Sequence, residues 1–254
     1  MPASALLAAA SLASLRVASL NLCTDELLLA IAAPEQIVSV THLARAPQET
    51  TLWRQARRYR QNDGSLLSVV GERPDLVLTM GGGARDRARI ARRLGIRIID
   101  LPFPQRLADV EMQIRTVAEA LGRRQAGMRW IARLNALKRS QPRRVSDTIW
   151  LGGGGRSVQA TGLAAEWMRL AGFRQRPLTG DRVTLEQLLV RPPAVLLRSD
   201  YRSGEYSGAQ RWLMHPLAKR TRRSRIVTTD GRAWTCMGPP MVDEVLRLRR
   251  QLAR

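Results

Sequence analysis

"RRQAGMRWIARLNALKR", Arg123 to Arg139, is the stretch on which the architecture turns. Met128, Ile131, Leu134 and Leu137 recur at helical spacing, an apolar stripe on an otherwise polar and basic segment. From Leu107 to Arg139 the chain has no proline and no Gly/Ser-rich run, only Gly122 and Gly127. A helix over Arg124–Arg139 would be about 24 Å long at about 1.5 Å per residue. Between two folded halves it would act as a stiff spacer. An ordinary core helix of one large domain would show the same stripe.

The chain on either side of this helix repeats a plan. "SLLSVVGERPDLVLTM" (65–80) and "TLEQLLVRPPAVLLRS" (184–199) both read as a short amphipathic helix, an Arg-Pro turn and a buried strand. The proline stops the helix because it lacks an N–H and disfavours helical geometry in the residue before it. Each copy is followed by a loop, a basic helix and another strand, "RIID" in the first half and "RIVTTD" in the second. Further strands are expected at "RVASL", "QIVSV" and "DTIWL", and further helices at Asp25–Ile31, Leu107–Leu121, Leu163–Leu170 and Pro240–Leu252. Alternation of short apolar runs with amphipathic segments is the pattern of an α/β protein.

Composition sets the outer bounds. With 254 residues and a hydrophobic fraction of 44%, the chain can bury a sizeable core. Its 42 basic residues against 21 acidic ones give a net charge of +21, almost all of the excess arginine, since only Lys138 and Lys219 are lysines. Nucleic-acid binding would call for clustering of that charge. The arginines are instead spread along the whole chain, with no zinc-finger spacing and no aromatic RNA-binding motif, so no nucleic-acid partner is expected. The opening "MPASALLAAASLAS" is apolar, with small residues around Ala13, and reads as a signal-peptide remnant over residues 1–15, although a basic n-region is missing. It is too short for a membrane span, which takes about 20 apolar residues, and no later stretch qualifies.

Enzyme signatures are missing too. The glycine runs at Gly81–Gly83 and Gly152–Gly155 do not continue into Gly-Lys-Ser/Thr, so they are not phosphate-binding P-loops. There is no G-x-S-x-G turn and no dinucleotide fingerprint. Cys23 with His42 is the one nucleophile–base pair on offer. The reading is of a protein that is not an enzyme and needs no cofactor.

Taken in order, "RVASLNLCTDELLLAI", "ERPDLVLTMGGG", "LGIRIIDLPFPQRLADVEMQIRTVAEALG", "VTLEQLLVRPPAVLL" and "HPLAKRTRRSRIVTTDGRAWTCMGPP" resemble the helical-backbone periplasmic substrate-binding proteins of ABC importers. That family receives cobalamin, ferric siderophores and haem. The resemblance implies two α/β lobes with central sheets, joined by one long helix, with a ligand cleft between the lobes. The expected division is an amino-terminal lobe at 16–122, the linking helix at 123–141 and a carboxyl-terminal lobe at 142–254. It also implies a periplasmic, monomeric protein that captures a metal chelate, or haem, and delivers it to a permease and ATPase complex.

In open α/β sheets ligands lie beyond the carboxyl ends of the strands. The residues expected there are Cys23, Thr24, His42, Met80, Gly81, Gly82 and Phe103 in the first half, and Tyr201, Trp234 and Cys236 in the second. Thr24 or Asp25 is also suited to capping the helix that follows. His42 alone cannot assemble the several ligands a bare transition metal needs, so no metal site is expected. The resemblance places permease-docking acids at Asp86 and Glu166. Cys23 and Cys236 would face one cleft, where they could form a disulfide, line the pocket separately or share a soft metal centre. The positive charge would favour an anionic ligand by long-range steering, or would simply follow genome composition.

Overall fold

The computed structural model describes residues 15–82, 84–219 and 223–253; side chains of residues 84–87 are not among those described. Residues 1–14 of the expected leader therefore lie outside the described residues.

The described chain divides into two compact units: residues up to Pro104 with Ala108–Ala132, and Gln105–Leu107 with Arg133 onward. In the first, β1 (Val17–Ser19), α1 (Leu22–Ile31), β2 (Ile37–Thr41), α2 (Trp53–Ala56), β3 (Arg60–Asn62), α3 (Leu67–Val70), β4 (Leu76–Met80), α4 (Ala84–Arg93) and β5 (Arg97–Leu101) follow in order. α5 (Leu107–Ala120) and α6 (Arg124–Arg139) come next. The five strands form a parallel sheet in the order β3-β2-β1-β4-β5. Parallel pairing needs a crossover between strands, which the intervening segments supply.

The second unit contains β6 (Ser146–Leu151), α7 (Gly162–Ala171), β7 (Phe173–Gln175), α8 (Leu185–Val190), β8 (Val195–Ser199), α9 (Gly208–Met214), α10 (Pro216–Lys219), β9 (Arg225–Thr229), α11 (Ala233–Cys236) and α12 (Pro240–Leu252). Its sheet is also parallel, in the order β7-β6-β8-β9.

The repeated plan lands on matching elements. β4 pairs with β5 over five residues, Leu76 to Met80, and β8 pairs with β9 over five, Val195 to Ser199. Every residue of β4 is buried, as expected of an inner strand covered on both faces. Leu66 and Val69, at the α3 turn, pack with Ala18, Val77 and Ile96. Leu188 of α8 packs with Ile149, Leu151 and Leu196 in the other unit. Each such fully buried aliphatic side chain contributes roughly 1.5–3 kcal/mol.

Two departures from the sequence reading have physical causes. β3 and β7 went unread because "RQN" and "FRQ" are short, polar strands at sheet edges with no apolar run to mark them. Met128 is 52% exposed and so is not part of the buried stripe of α6, whereas Ala126, Ile131, Leu134 and Leu137 are buried. Gly127 takes the buried turn instead: a Cβ there would stand 2.5 Å from Ala118 Cβ, so glycine lets α6 approach α5 closely. The division between the units falls inside α6, at Ala132/Arg133. In the first unit the Trp130 indole donates to Ala30 O at 2.9 Å; in the second Arg133 is paired with Asp243, and Arg249 donates to Leu137 O at 3.0 Å.

Candidate functional site

In the first unit the carboxyl ends of β1, β2, β4 and β5 bring forward most of the expected residues. β1 feeds α1 with almost no loop. Asn21 has extended geometry (φ −149°, ψ 140°), so the strand runs directly into the cap, and its Oδ1 accepts from Cys23 N at 2.9 Å. Asn21, not Thr24 or Asp25, is therefore the N-cap, consistent with the strong preference for asparagine there. Cys23 sits half-buried in the first helical turn.

Thr24 is fully buried, with its hydroxyl 2.8 Å from Ser19 Oγ and donating to Asn21 O at 2.9 Å. It fastens the helix start to the strand end and presents no side-chain surface to a ligand. Asp25 is also fully buried, accepting from Thr41 N at 3.1 Å and Thr41 Oγ1 at 2.5 Å. Burial pushes its carboxyl up to about 7, against the Thr41 and Ser19 hydrogen bonds that favour the ionised form. Asn62 at the end of β3 donates to Ser19 O and Ser39 Oγ, both at 2.9 Å, tying β1, β2 and β3 together. The Asp25–Thr41 and Asn62 tethers have no local sequence signal, because they join residues 16 to 43 positions apart. The one local signal was an asparagine directly before an apolar helix.

His42 leaves β2 exposed, its N–H donating to Asn62 O at 2.9 Å. Gly81 and Gly82 follow β4, both exposed and at positive φ (94° and 85°). At Gly81 a Cβ would stand 2.6 Å from the Phe103 ring, so glycine is what lets Phe103 lie across this turn. Phe103 is 57% exposed, whereas Met80 is 7% exposed and belongs to the core. Gly83 lies outside the described residues, and so does the side chain of Asp86 on α4.

In the second unit the indoles of Trp150, near the end of β6, and Trp234, on α11 just after β9, lie 5.9 Å apart and tilted by 57°. The Trp234 indole donates to Thr229 Oγ1 at 2.7 Å. Trp150 Nε1 is buried without an acceptor among the described residues, an unsatisfied donor that costs about 1–3 kcal/mol. By sequence alone Trp150 reads only as a strand residue. Its neighbours Ile149 and Leu151 are buried, so alternation along β6 turns it to the opposite face. Tyr201 is half-buried, with the Arg202 guanidinium 5.5 Å from its ring centre. Gly231 allows this packing, since a Cβ there would fall 2.4 Å from Tyr201 Cβ.

Around the same strand end, Glu244 accepts from Thr229 Oγ1 at 2.5 Å, Asp230 N at 3.0 Å and Arg247 Nε at 2.8 Å. Burial works to raise the Asp230 carboxyl, but the Arg232 hydrogen bond and charge outweigh it and hold it below the usual range. Cys236 is 7% exposed, and neither cysteine of the chain is a free thiol. Glu166 does not stand clear of its surroundings: its carboxylate accepts from Leu107 N, the first residue of α5, at 2.7 Å. No cluster of three or more His, Cys, Asp or Glu side chains suited to a metal occurs among the described residues.

Two parallel α/β units with glycine turns and aromatic rings at their strand ends invite comparison with known proteins. The sequence profile described as periplasmic binding protein matches residues 17–146, half of the chain. The chain belongs to the periplasmic binding protein family. Its members are binding proteins rather than enzymes, and this one is of the helical-backbone kind that serves ABC importers. No curated protein matches the sequence.

Among solved structures, a periplasmic haem-binding protein in complex with two haems is 22% identical, with a TM-score of 0.68 over 93% of this chain and 97% of that one. The periplasmic haem-binding protein of Vibrio cholerae is 17% identical, with a TM-score of 0.68 over 95% and 100%. The periplasmic vitamin B12-binding protein of the same organism is 18% identical, with a TM-score of 0.64 over 94% and 96%. At these identities the likeness is one of fold. In this binding protein no helix among the described residues is long and apolar enough to cross a membrane.

Proposed function

We propose that this periplasmic binding protein captures a bulky metal chelate, of the cobalamin or ferric siderophore kind, and delivers it to an ABC permease from the periplasm. The observation that carries this reading is the chemistry of the strand ends. Phe103 lies across the glycine turn of β4, and the Trp150–Trp234 pair lies near the ends of β6 and β9 with a buried, unsatisfied indole N–H. Aromatic faces with a few fixed polar groups suit a large planar or multidentate ligand. A bare ion is a poor fit to a chain with two histidines in all. Haem is a second reading of equal standing, favoured by the haem-binding proteins among the similar structures.

On this reading His42, Gly81, Gly82, Phe103, Tyr201, Trp150 and Trp234 contact or frame the ligand, while Asp86 and Glu166 meet arginines of the permease. Titration with cobalamin, haemin and a ferric siderophore, followed by absorbance and tryptophan fluorescence, should give one-to-one binding to one of the three. Phe103→Ala should weaken that binding about tenfold or more without loss of fold, since the ring is largely exposed. Failure of all three ligands to bind removes the proposed class.

We also propose that Cys23 and Cys236, the two cysteines of the chain and neither of them free, are bridged to one another, as an oxidising periplasm permits. Closing so long a loop would stabilise the fold by about 5 kcal/mol on the chain-entropy argument. Thiol counting on denatured, unreduced protein should find none; two free thiols exclude the bridge.

A further inference from the structure

The second unit has a groove in which none of the proposed ligand residues takes part. It lies against the edge strand β7, has a volume of about 630 Å³, and is lined by Asp147, Arg169, Arg174, Arg176 and Arg191 together with Thr161. A smaller hollow of about 170 Å³ shares Thr161, Arg169 and Arg174 and adds Glu166.

The charges here do not cancel. Arg176 is fixed in place by Asp147, by Arg191 O at 2.6 Å and by Pro192 O at 3.4 Å. Glu166 is engaged by the Leu107 N–H. That leaves Arg169, Arg174 and Arg191, all exposed and none in an ion pair among the described residues, around one concavity. Like charges gathered at a hollow repel one another, and a multivalent anion seated among them relieves that repulsion. The planar guanidinium fork matches phosphate oxygens in pairs, which a lysine ammonium does not. Thr161, whose side chain makes no capping hydrogen bond to α7, adds a neutral donor to the same wall.

We propose that this groove binds a phosphate-bearing anion, either a free phosphate compound or the headgroup of an anionic phospholipid. It is independent of whichever chelate the protein carries. Because the whole chain is strongly basic, the test compares two variants of equal charge. One replaces the groove arginines (Arg169→Ala, Arg174→Ala, Arg191→Ala). The other replaces three exposed arginines on α4 (Arg89→Ala, Arg92→Ala, Arg93→Ala). Circular dichroism checks that both fold.

Each is tested for pyrophosphate binding by calorimetry, and for co-sedimentation with phosphatidylglycerol against phosphatidylcholine vesicles. The groove variant should bind at least about tenfold more weakly than wild type while the α4 variant stays within about twofold, the gap narrowing as salt rises. Loss on pyrophosphate identifies a free phosphate compound as the ligand, and loss on phosphatidylglycerol alone identifies a headgroup. Equal weakening in both variants, or no binding of wild type to either probe, overturns the proposal.

Discussion

Each lobe ends one strand on a threonine held by a buried carboxylate, and the two solutions differ in one respect. At the end of β2, Thr41 donates through its hydroxyl and its backbone N–H to Asp25 of α1. At the end of β9, Thr229 donates its hydroxyl to Glu244 of α12, and the next N–H, that of Asp230, donates to the same oxygen. Glu244 also receives the Arg247 guanidinium at 2.7 and 2.8 Å, and this hydrogen bond raises Arg247 above its ordinary pKa. For Asp25, burial outweighs its hydrogen bonds and raises its carboxyl to about 7. Hydrogen bonds from neutral donors can hold a strand end in place, but a cation is what keeps a buried carboxylate charged cheaply.

The largest expected effect comes from Asp25. The folded protein holds this proton up to about pH 7, against an ordinary value of 3.8, so stability falls as pH rises between those values and levels off above them. The fall is on the order of 4 kcal/mol, each pKa unit being worth about 1.4 kcal/mol. Asp25→Asn keeps an acceptor for Thr41 and cannot ionise. Urea denaturation should therefore find it gaining on wild type steadily from pH 4 to pH 7. A constant difference across that range would mean that Asp25 titrates normally.

Removing the cation from the other lobe should make the two sites alike. Arg247→Ala leaves Glu244, 4% exposed at its side chain, without its guanidinium, whereas Arg247 itself is 38% exposed. Breaking a buried pair costs about 3–5 kcal/mol, and the exposure of Arg247 brings the expected loss at pH 7 to about 2–3 kcal/mol. A loss fully rescued by Arg247→Met would show that packing of the arginine stem, not its charge, is what Glu244 relies on.

How far the sequence could be read follows the same division between local and long-range cause. The linking helix, the two Arg-Pro turns and the strands β4 and β8 were legible because each is written in contiguous residues. So were the exposed turn residues His42, Gly81, Gly82 and Phe103, which stand directly after strands. Thr24 was legible as part of the strand-to-helix junction but not as a buried clamp, since its partner Ser19 sits across that junction. Trp150 looked like any strand residue until Trp234, 84 positions later by their numbering, was seen beside it.

By itself, then, the sequence determined an α/β chain of two like halves around a helix, because hydrophobic periodicity and proline act within a few residues of where they are written. The tertiary structure alone decided which polar groups are buried and with what: Asp25 without a cation, Glu244 with Arg247, and Arg169, Arg174 and Arg191 gathered round one groove. Charge and hydrogen bonding depend on distance in space and on loss of water, and neither is set until distant strands have taken their order in the sheet.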